Sequence, residues 1–177
     1  ILRPQHSLTT EGGMEWRGGG ASMRAALFQI EVTDEIHLDP YTTGVGNTNL
    51  PPSRRRGIEL EGAWRAAKGL RLQAGYAYTD ARFLEGVLAG SPFAIGTNLS
   101  VAGKQVPLVP VHKLNAGLTW DVTGATQLSG MLTALSSQFM DNDEPNTLGA
   151  KIPGYAVLDL KLRHAFAWGR VALSVNN

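Results

Sequence analysis

The chain has 177 residues, enough for one domain of ordinary size. Its formal net charge of +1 leaves no electrostatic case for nucleic-acid binding. It contains no cysteine, which excludes thiol catalysis, disulfides and cysteine-ligated metal centres.

No run approaches the roughly 18 consecutive apolar residues that a membrane helix needs. A membrane protein of this composition would therefore have to cross with strands closed into a barrel. The 21 glycines suit a tilted, curved sheet. Ile1 opens the chain without an initiator Met or signal peptide, and Asn176-Asn177 end it within a strand-like run. The expectation is a segment of something longer.

In chain order, Leu8 to Arg17 alternates, with Leu8, Thr10, Gly12, Met14 and Trp16 against Glu11, Glu15 and Arg17. Gly18-Gly19-Gly20 makes a short turn. Ser22 to Ile36 sets Ala26, Phe28, Ile30 and Val32 against Gln29, Glu31, Thr33 and Glu35. The polar stretch from His37 to Ser53 reads as a loop without strands, because Pro51-Pro52 removes two ladder donors.

The clearest signal lies between Arg54 and Phe83. Ile58, Leu60, Gly62 and Trp64 share one face of a strand, while Glu59, Glu61, Ala63 and Arg65 share the other. In the next strand Leu70, Leu72, Ala74, Tyr76 and Tyr78 alternate with Arg71, Gln73, Gly75, Ala77 and Thr79. Ala67-Lys68-Gly69 suits a three-residue hairpin loop with Gly in the left-handed region. That loop sets Trp64 opposite Leu72, Gly62 opposite Ala74, Leu60 opposite Tyr76, Ile58 opposite Tyr78 and Arg65 opposite Arg71.

Leu84 to Gln105 is a second long connection. Val106 to Val122 reads as a strand with Leu114, Ala116, Leu118 and Trp120 on one face. A short turn at Thr123-Gly124-Ala125 leads to Gln127–Phe139, whose Met131, Leu132 and Leu135 fall on both faces. Met140 to Ile152 is a third long loop. Pro153 to Phe166 sets Leu158, Leu160 and Leu162 against Asp159, Lys161 and Arg163, and Ala167-Trp168-Gly169 turns into a last strand carrying Val171, Leu173 and Val175.

About eight strands thus alternate with short and long connections. Up-and-down membrane barrels have this asymmetry. All four tryptophans, Trp16, Trp64, Trp120 and Trp168, sit beside short turns, whereas Tyr78, Phe83, Phe139 and Tyr155 lie beside long loops. Two aromatic belts are what two membrane interfaces select. A soluble sandwich with tryptophans at its strand ends is the plainer alternative.

Several stretches bear a family resemblance: Leu2-Arg3-Pro4-Gln5 with Glu11-Gly12, Asp34-Glu35-Ile36, Arg56-Gly57-Ile58-Glu59-Leu60, the run from Tyr76 to Phe83, Val106-Pro107-Leu108-Val109-Pro110-Val111-His112, and Pro153-Gly154-Tyr155 through Asp159-Leu160. Together and in this order they are similar to the carboxy-terminal part of TonB-dependent outer-membrane receptors, with Gln5 where Glu is usual. The resemblance implies an all-β, antiparallel, up-and-down transmembrane β-barrel of about 22 strands. Residues 1–177 would be the carboxy-terminal segment of that barrel, with the plug domain and closing strand outside this chain. It also implies TonB-dependent, energy-coupled transport of a bulky, scarce ligand, foremost a ferric siderophore, across the bacterial outer membrane. The implied partners are that ligand, the inner-membrane TonB complex, reached through the absent amino-terminal part, and outer-membrane lipid and lipopolysaccharide. Neither a cofactor nor covalent chemistry is implied.

The candidate sites follow. Arg54-Arg55-Arg56, where a long loop meets a strand, would attract an anionic ferric chelate or lipopolysaccharide phosphates, or form a plain solvated rim. Glu59, Glu61, Arg71, Gln73, Asp159, Lys161 and Arg163 would line the lumen, forming ion pairs with one another and with the plug. Trp16, Trp64, Trp120, Trp168, Tyr78 and Tyr155 would form the aromatic belts. Asp141 to Asn146 is oxygen-rich but lacks the order of a calcium loop. His37 with Asp39 is a weak metal pair, Gly44-Val45-Gly46 lacks the context of a phosphate cradle, and Asn98-Leu99-Ser100 is a chance glycosylation triplet in a bacterium. His6, His37, His112 and His164 lie in separate segments without a nucleophile motif, which disfavours a barrel enzyme. A complete small structural or adhesive barrel remains a rival.

The reading makes two demands on the structure. Leu60, Trp64, Leu72, Tyr76, Leu118, Trp120, Leu158, Leu160 and Leu162 should turn away from the barrel axis. The first and last strands should be unpaired edges of an open sheet.

Overall fold

The structure is a computed structural model and describes residues 1–39, 46–89 and 98–177. Its strands are β1 (His6–Gly18), β2 (Ala21–Thr33), β3 (Ile36–Asp39), β4 (Gly46–Asn49), β5 (Ser53–Ala67), β6 (Leu70–Phe83), β7 (Val87–Ala89), β8 (Asn98–Ser100), β9 (His112–Asp121), β10 (Thr126–Leu135), β11 (Gln138–Phe139), β12 (Lys151–Ile152), β13 (Tyr155–Phe166) and β14 (Gly169–Val175). Eight of them form one antiparallel sheet in the order β1-β2-β5-β6-β9-β10-β13-β14. Within this sheet each strand pairs with the sheet strand before it in the chain, so short turns collect at one end and long connections at the other. β1 and β14 are the two edges, with no ladder between them. The sheet is an open wall, as expected, and not a closed eight-stranded cylinder.

Register carries each face across the sheet, because directly paired residues point the same way. One row runs Ala21, Trp64, Leu72, Leu118, Gly130, Leu160 and Val175. A row on the opposite face runs Glu15, Arg24, Glu61, Gly75, Asn115, Thr133 and Val157. All nine residues expected to turn outward lie on the first face. They meet no dry interior: Leu60, Trp64, Leu118, Trp120, Leu158, Leu160 and Leu162 are all exposed.

The central hairpin has the expected pairs, from Ile58 with Tyr78 to Arg65 with Arg71. Its turn differs. Ala67 pairs with Leu70, so the turn is Lys68-Gly69, and the odd residue sits in the strand as a bulge at Ala66. A bulge absorbs one residue without changing the faces beyond it. Gly69 has φ of 76°, the left-handed conformation that a tight turn asks of glycine.

Other boundaries moved for stated reasons. The strand expected from Val106 starts at His112, since Pro107 and Pro110 lack the N–H that a ladder needs. The third long loop holds a ribbon, β11 with β12, that shortens the strand expected to run to Phe139. The loop after β2 also contains a ribbon, β3 with β4, because the two prolines fall beyond its end. β7 and β8 make a third.

The buried cluster sits at the long-loop end. Leu50, Ala81, Phe83, Val101 and Val106 are buried together, with Leu88 and Val109 packed against them. The second long connection folds back along β6 and is tied there by backbone bonds. Phe83 N donates to Lys104 O at 3.0 Å, Gly103 N to Phe83 O at 2.9 Å, and Val106 N to Ala81 O at 3.0 Å. Ala81 and Phe83 lie on the face of Glu59, so this core covers the upper part of the otherwise polar face. Ala26, Phe28, Ile30 and Val32 lie on that face too, not with Leu60.

Candidate functional site

The polar face is built by alternation alone, since every second residue of a strand returns to it. Glu59, Glu61, Arg71, Gln73, Asp159, Lys161 and Arg163 all lie on it. They do not pair with one another among the described residues. Arg71 reaches Asp121 at 3.9 Å. Arg17 pairs with Glu15, and Arg24 with Glu11 at 3.5 Å. A hollow of about 630 Å³ opens on this face, lined among others by Glu15, Arg24, Glu61, Gln73 and Asn115.

Charge is divided along the strands. Toward the short turns the polar face carries Arg17, Arg65, Arg71, Lys161, Arg163 and Arg170 against Asp121 and Asp159. At mid-height it carries Glu11, Glu15, Glu59 and Glu61 against Arg24 and Lys113. Arg65 and Arg71 stand directly opposite each other, a like-charge pair that costs least where water reaches it.

The three arginines at the top of β5 are not one patch. Arg55 lies on the face of Glu59 and donates to the Glu35 carboxylate at 2.7 and 3.0 Å. Arg54 and Arg56 lie on the opposite face, where Arg56 meets Asp80 at 3.4 Å and Asp80 accepts from Arg82 at 2.7 Å. Alternation read backwards from Ile58 would have shown this split.

Trp16, Trp64 and Trp120 share the apolar face near the short turns, and Trp168 sits in the last turn, stacked on Phe166 with centroids 5.1 Å apart. Tyr78 is on the apolar face near the long connections. Tyr155 is not: it pairs with Leu135, which pairs with Lys113, and so lies on the polar face. Odd-numbered residues of β13 all point that way.

Long-range contacts at the loop end were invisible in the sequence. His37 Nε2 lies 3.0 Å from Asn142 Oδ1, 3.4 Å from Glu144 and 3.8 Å from Asp141, joining the first and third long connections across 105 positions. Asp143 is buried and accepts from the backbone N–H of Thr147 at 2.7 Å and Leu148 at 3.3 Å. Asn146 bonds both backbone groups of Gln105. The oxygen-rich segment therefore fastens its loop. No group of three or more His, Cys, Asp or Glu among the described residues is placed to hold a metal ion. Of the His37–Asp39 pair only the His37 side chain is described, and Gly44 and Val45 lie outside the described residues. His112 bonds Tyr76 and His164 bonds Thr126, each at 2.8 Å.

The model of the β-barrel of TonB-dependent receptor-like proteins matches residues 1–177, the whole of this open, two-faced wall. The chain belongs to that family. It is 26% identical over 167 residues to the ferrioxamine B receptor of Salmonella typhimurium, covering 90% of this chain and 21% of the receptor. This TonB-dependent receptor chain thus spans about a fifth of the curated relatives it matches. Many solved structures share its fold. The ferric yersiniabactin uptake receptor of Yersinia pestis aligns at TM-score 0.74 and 21% identity, over 98% of this chain and 24% of that one. A siderophore receptor of Acinetobacter baumannii aligns at 0.74 and 22%, over 96% and 24%. These relatives are named as receptors, not as enzymes.

Proposed function

We propose that these residues are part of the wall of an outer-membrane transporter that takes up a bulky, scarce ligand, a ferric siderophore, by TonB-coupled transport. The observation that carries this reading is the division of one continuous sheet into an apolar face and a charged face. Lipid on one side and a watery lumen on the other is the environment that stabilises such a sheet. Family membership and the open edges at β1 and β14 support it: the remaining strands and the plug would come from the rest of the receptor. Coupling to the inner-membrane TonB complex would likewise run through that remainder. The ferrioxamine B receptor supplies a first probe, not the ligand's identity.

The test is uptake by cells. The full-length gene is deleted and radioiron uptake is followed with a panel of ferric siderophores that includes ferrioxamine B. One chelate should lose its receptor-dependent uptake, and a protonophore should abolish the same uptake in the parent strain. Unchanged uptake of every chelate, with no iron-dependent growth defect, would contradict the reading.

A further inference from the structure

The apolar face continues beyond its last ring of aromatics into a second, charged surface. Ile58, Tyr78 and His112 form one row on this face. Arg56 comes two residues further along β5, opposite Asp80 and Gln29, and Arg54 two further again, opposite Arg82 and Glu31. At roughly 3.3 Å per residue, Arg56 stands about 7 Å and Arg54 about 13 Å past Ile58. Three guanidiniums therefore sit just outside the apolar band, on the same side as Leu60 and Leu114.

The row beneath them is built for an interface. Tyr76 bonds His112 at 2.8 Å, and the His112 ring lies 6.1 Å from the Tyr76 ring and 5.5 Å from the Tyr78 ring. Rings with polar tips settle where acyl chains meet headgroups. The arginines are then at the level of lipid phosphate. Asp80 anchors two of them, Arg56 at 3.4 Å and Arg82 at 2.7 Å, and Arg82 also donates to Gly103 O at 2.9 Å. Arg54 has no ion pair among the described residues, yet it faces Arg82 across the ladder. Like charges directly opposed destabilise a sheet, and Glu31, on the other side of Arg54, accepts from Gln29 at 3.0 Å and makes no ion pair with Arg54 among the described residues.

We propose that Arg54, Arg56 and Arg82 bind the phosphates of lipopolysaccharide in the outer leaflet. The guanidinium fork matches phosphate oxygens two at a time. A lumen ligand is excluded, because these three side chains lie on the other side of the sheet from Glu59. Arg55, between two of them in sequence, takes no part: it points the other way and is held by Glu35. The proposal rests on the outer-membrane reading above.

The test uses the full-length receptor, purified in detergent, stripped of lipid and titrated with lipid A by native mass spectrometry. Bisphosphorylated lipid A should bind. Arg54→Gln/Arg56→Gln/Arg82→Gln together should weaken it at least about tenfold, the loss of one charge-assisted hydrogen bond or more. Arg55→Gln and phosphatidylglycerol competition should leave it unchanged, and dephosphorylated lipid A should bind no better than to the triple variant. Equal binding by the triple variant, or equal binding of dephosphorylated lipid A, overturns the site. Should the triple variant fail to fold, Arg54→Gln alone, which breaks no ion pair among the described residues, must still weaken binding. A receptor that fractionates with the outer membrane and takes up its chelate but ignores lipid A refutes this site alone. A receptor absent from that membrane refutes the transport reading as well.

Discussion

The strands are built in opposite senses on the two sides of the row formed by Ile58 and Tyr78. Toward the short turns, the face of Leu60 is apolar and the face of Glu59 is charged. Toward the long connections, Gln29, Glu31, Arg54, Arg56, Asp80 and Arg82 occupy the first face, while Phe28, Ile30, Val32, Ala81 and Phe83 occupy the second. Val32, Ala81 and Phe83 are buried there, the last two under the folded connections. A sheet has no intrinsic inside. Its apolar face goes wherever water is absent, and here that place changes sides along a single strand. The lower part is fitted to lipid outside and water inside; the upper part is fitted to water outside and packed loops inside.

Arginine substitutions break this comparison most sharply. Leu160→Arg or Leu72→Arg, both in the apolar band, should destabilise the barrel by about 2–4 kcal/mol. Leu8→Arg, on the same face but beyond the band, should cost almost nothing. Urea titration of the folded receptor in vesicles measures both, and equal costs would erase the distinction. Gly57→Ala tests the crossover itself. A Cβ there would meet Tyr78 O at 2.0 Å and the Phe28 ring at 2.8 Å, so backbone must move. About 1–3 kcal/mol should be lost, whereas Gly12→Ala, with open space around the added carbon, should stay within roughly 0.5 kcal/mol.

Smaller effects sharpen the upper region. Arg55→Ala removes the partly buried pair with Glu35 and should cost about 1.5 kcal/mol in the same titration. Arg54→Gln should leave stability within about 0.5 kcal/mol, because the side chain has no ion pair to lose among the described residues. A large loss from Arg54→Gln would mean that the outward arginine is structural.

Much of this is legible in the sequence. Alternation in β5, β6, β9 and β13 gave the faces, and in the central hairpin of β5 and β6 it gave the pair partners from Ile58 to Arg65, because a one-residue slip would have moved every side chain to the wrong environment. β10 was ambiguous, since Met131 and Leu132 point to opposite faces. Its Met131 is admitted to the polar face by Gly117 opposite, where an added Cβ would lie 3.1 Å from the methionine methyl. That vacancy belongs to a neighbouring strand and leaves no mark on β10 itself. The turn of the central hairpin was misjudged by one residue because a bulge and a longer loop preserve the same register. The contact of His37 with Asn142 was beyond reach, since nothing local in either loop requires the other. Tyr155 shows the opposite failing. Its parity with Asp159 was in plain view, and its place beside a long loop suggested a belt that parity denies.

The central claim is that one face of this wall meets lipid and the other meets water. Spin labels at single cysteines, placed along β13 of the full-length receptor in lipid vesicles, test it most directly. Labels at positions 158, 160 and 162 should be relaxed by oxygen, which concentrates in lipid, and shielded from a water-soluble nickel chelate. Labels at 159, 161 and 163 should respond in the reverse manner. Six labels with the same accessibility, or the two sets exchanged, would contradict the account.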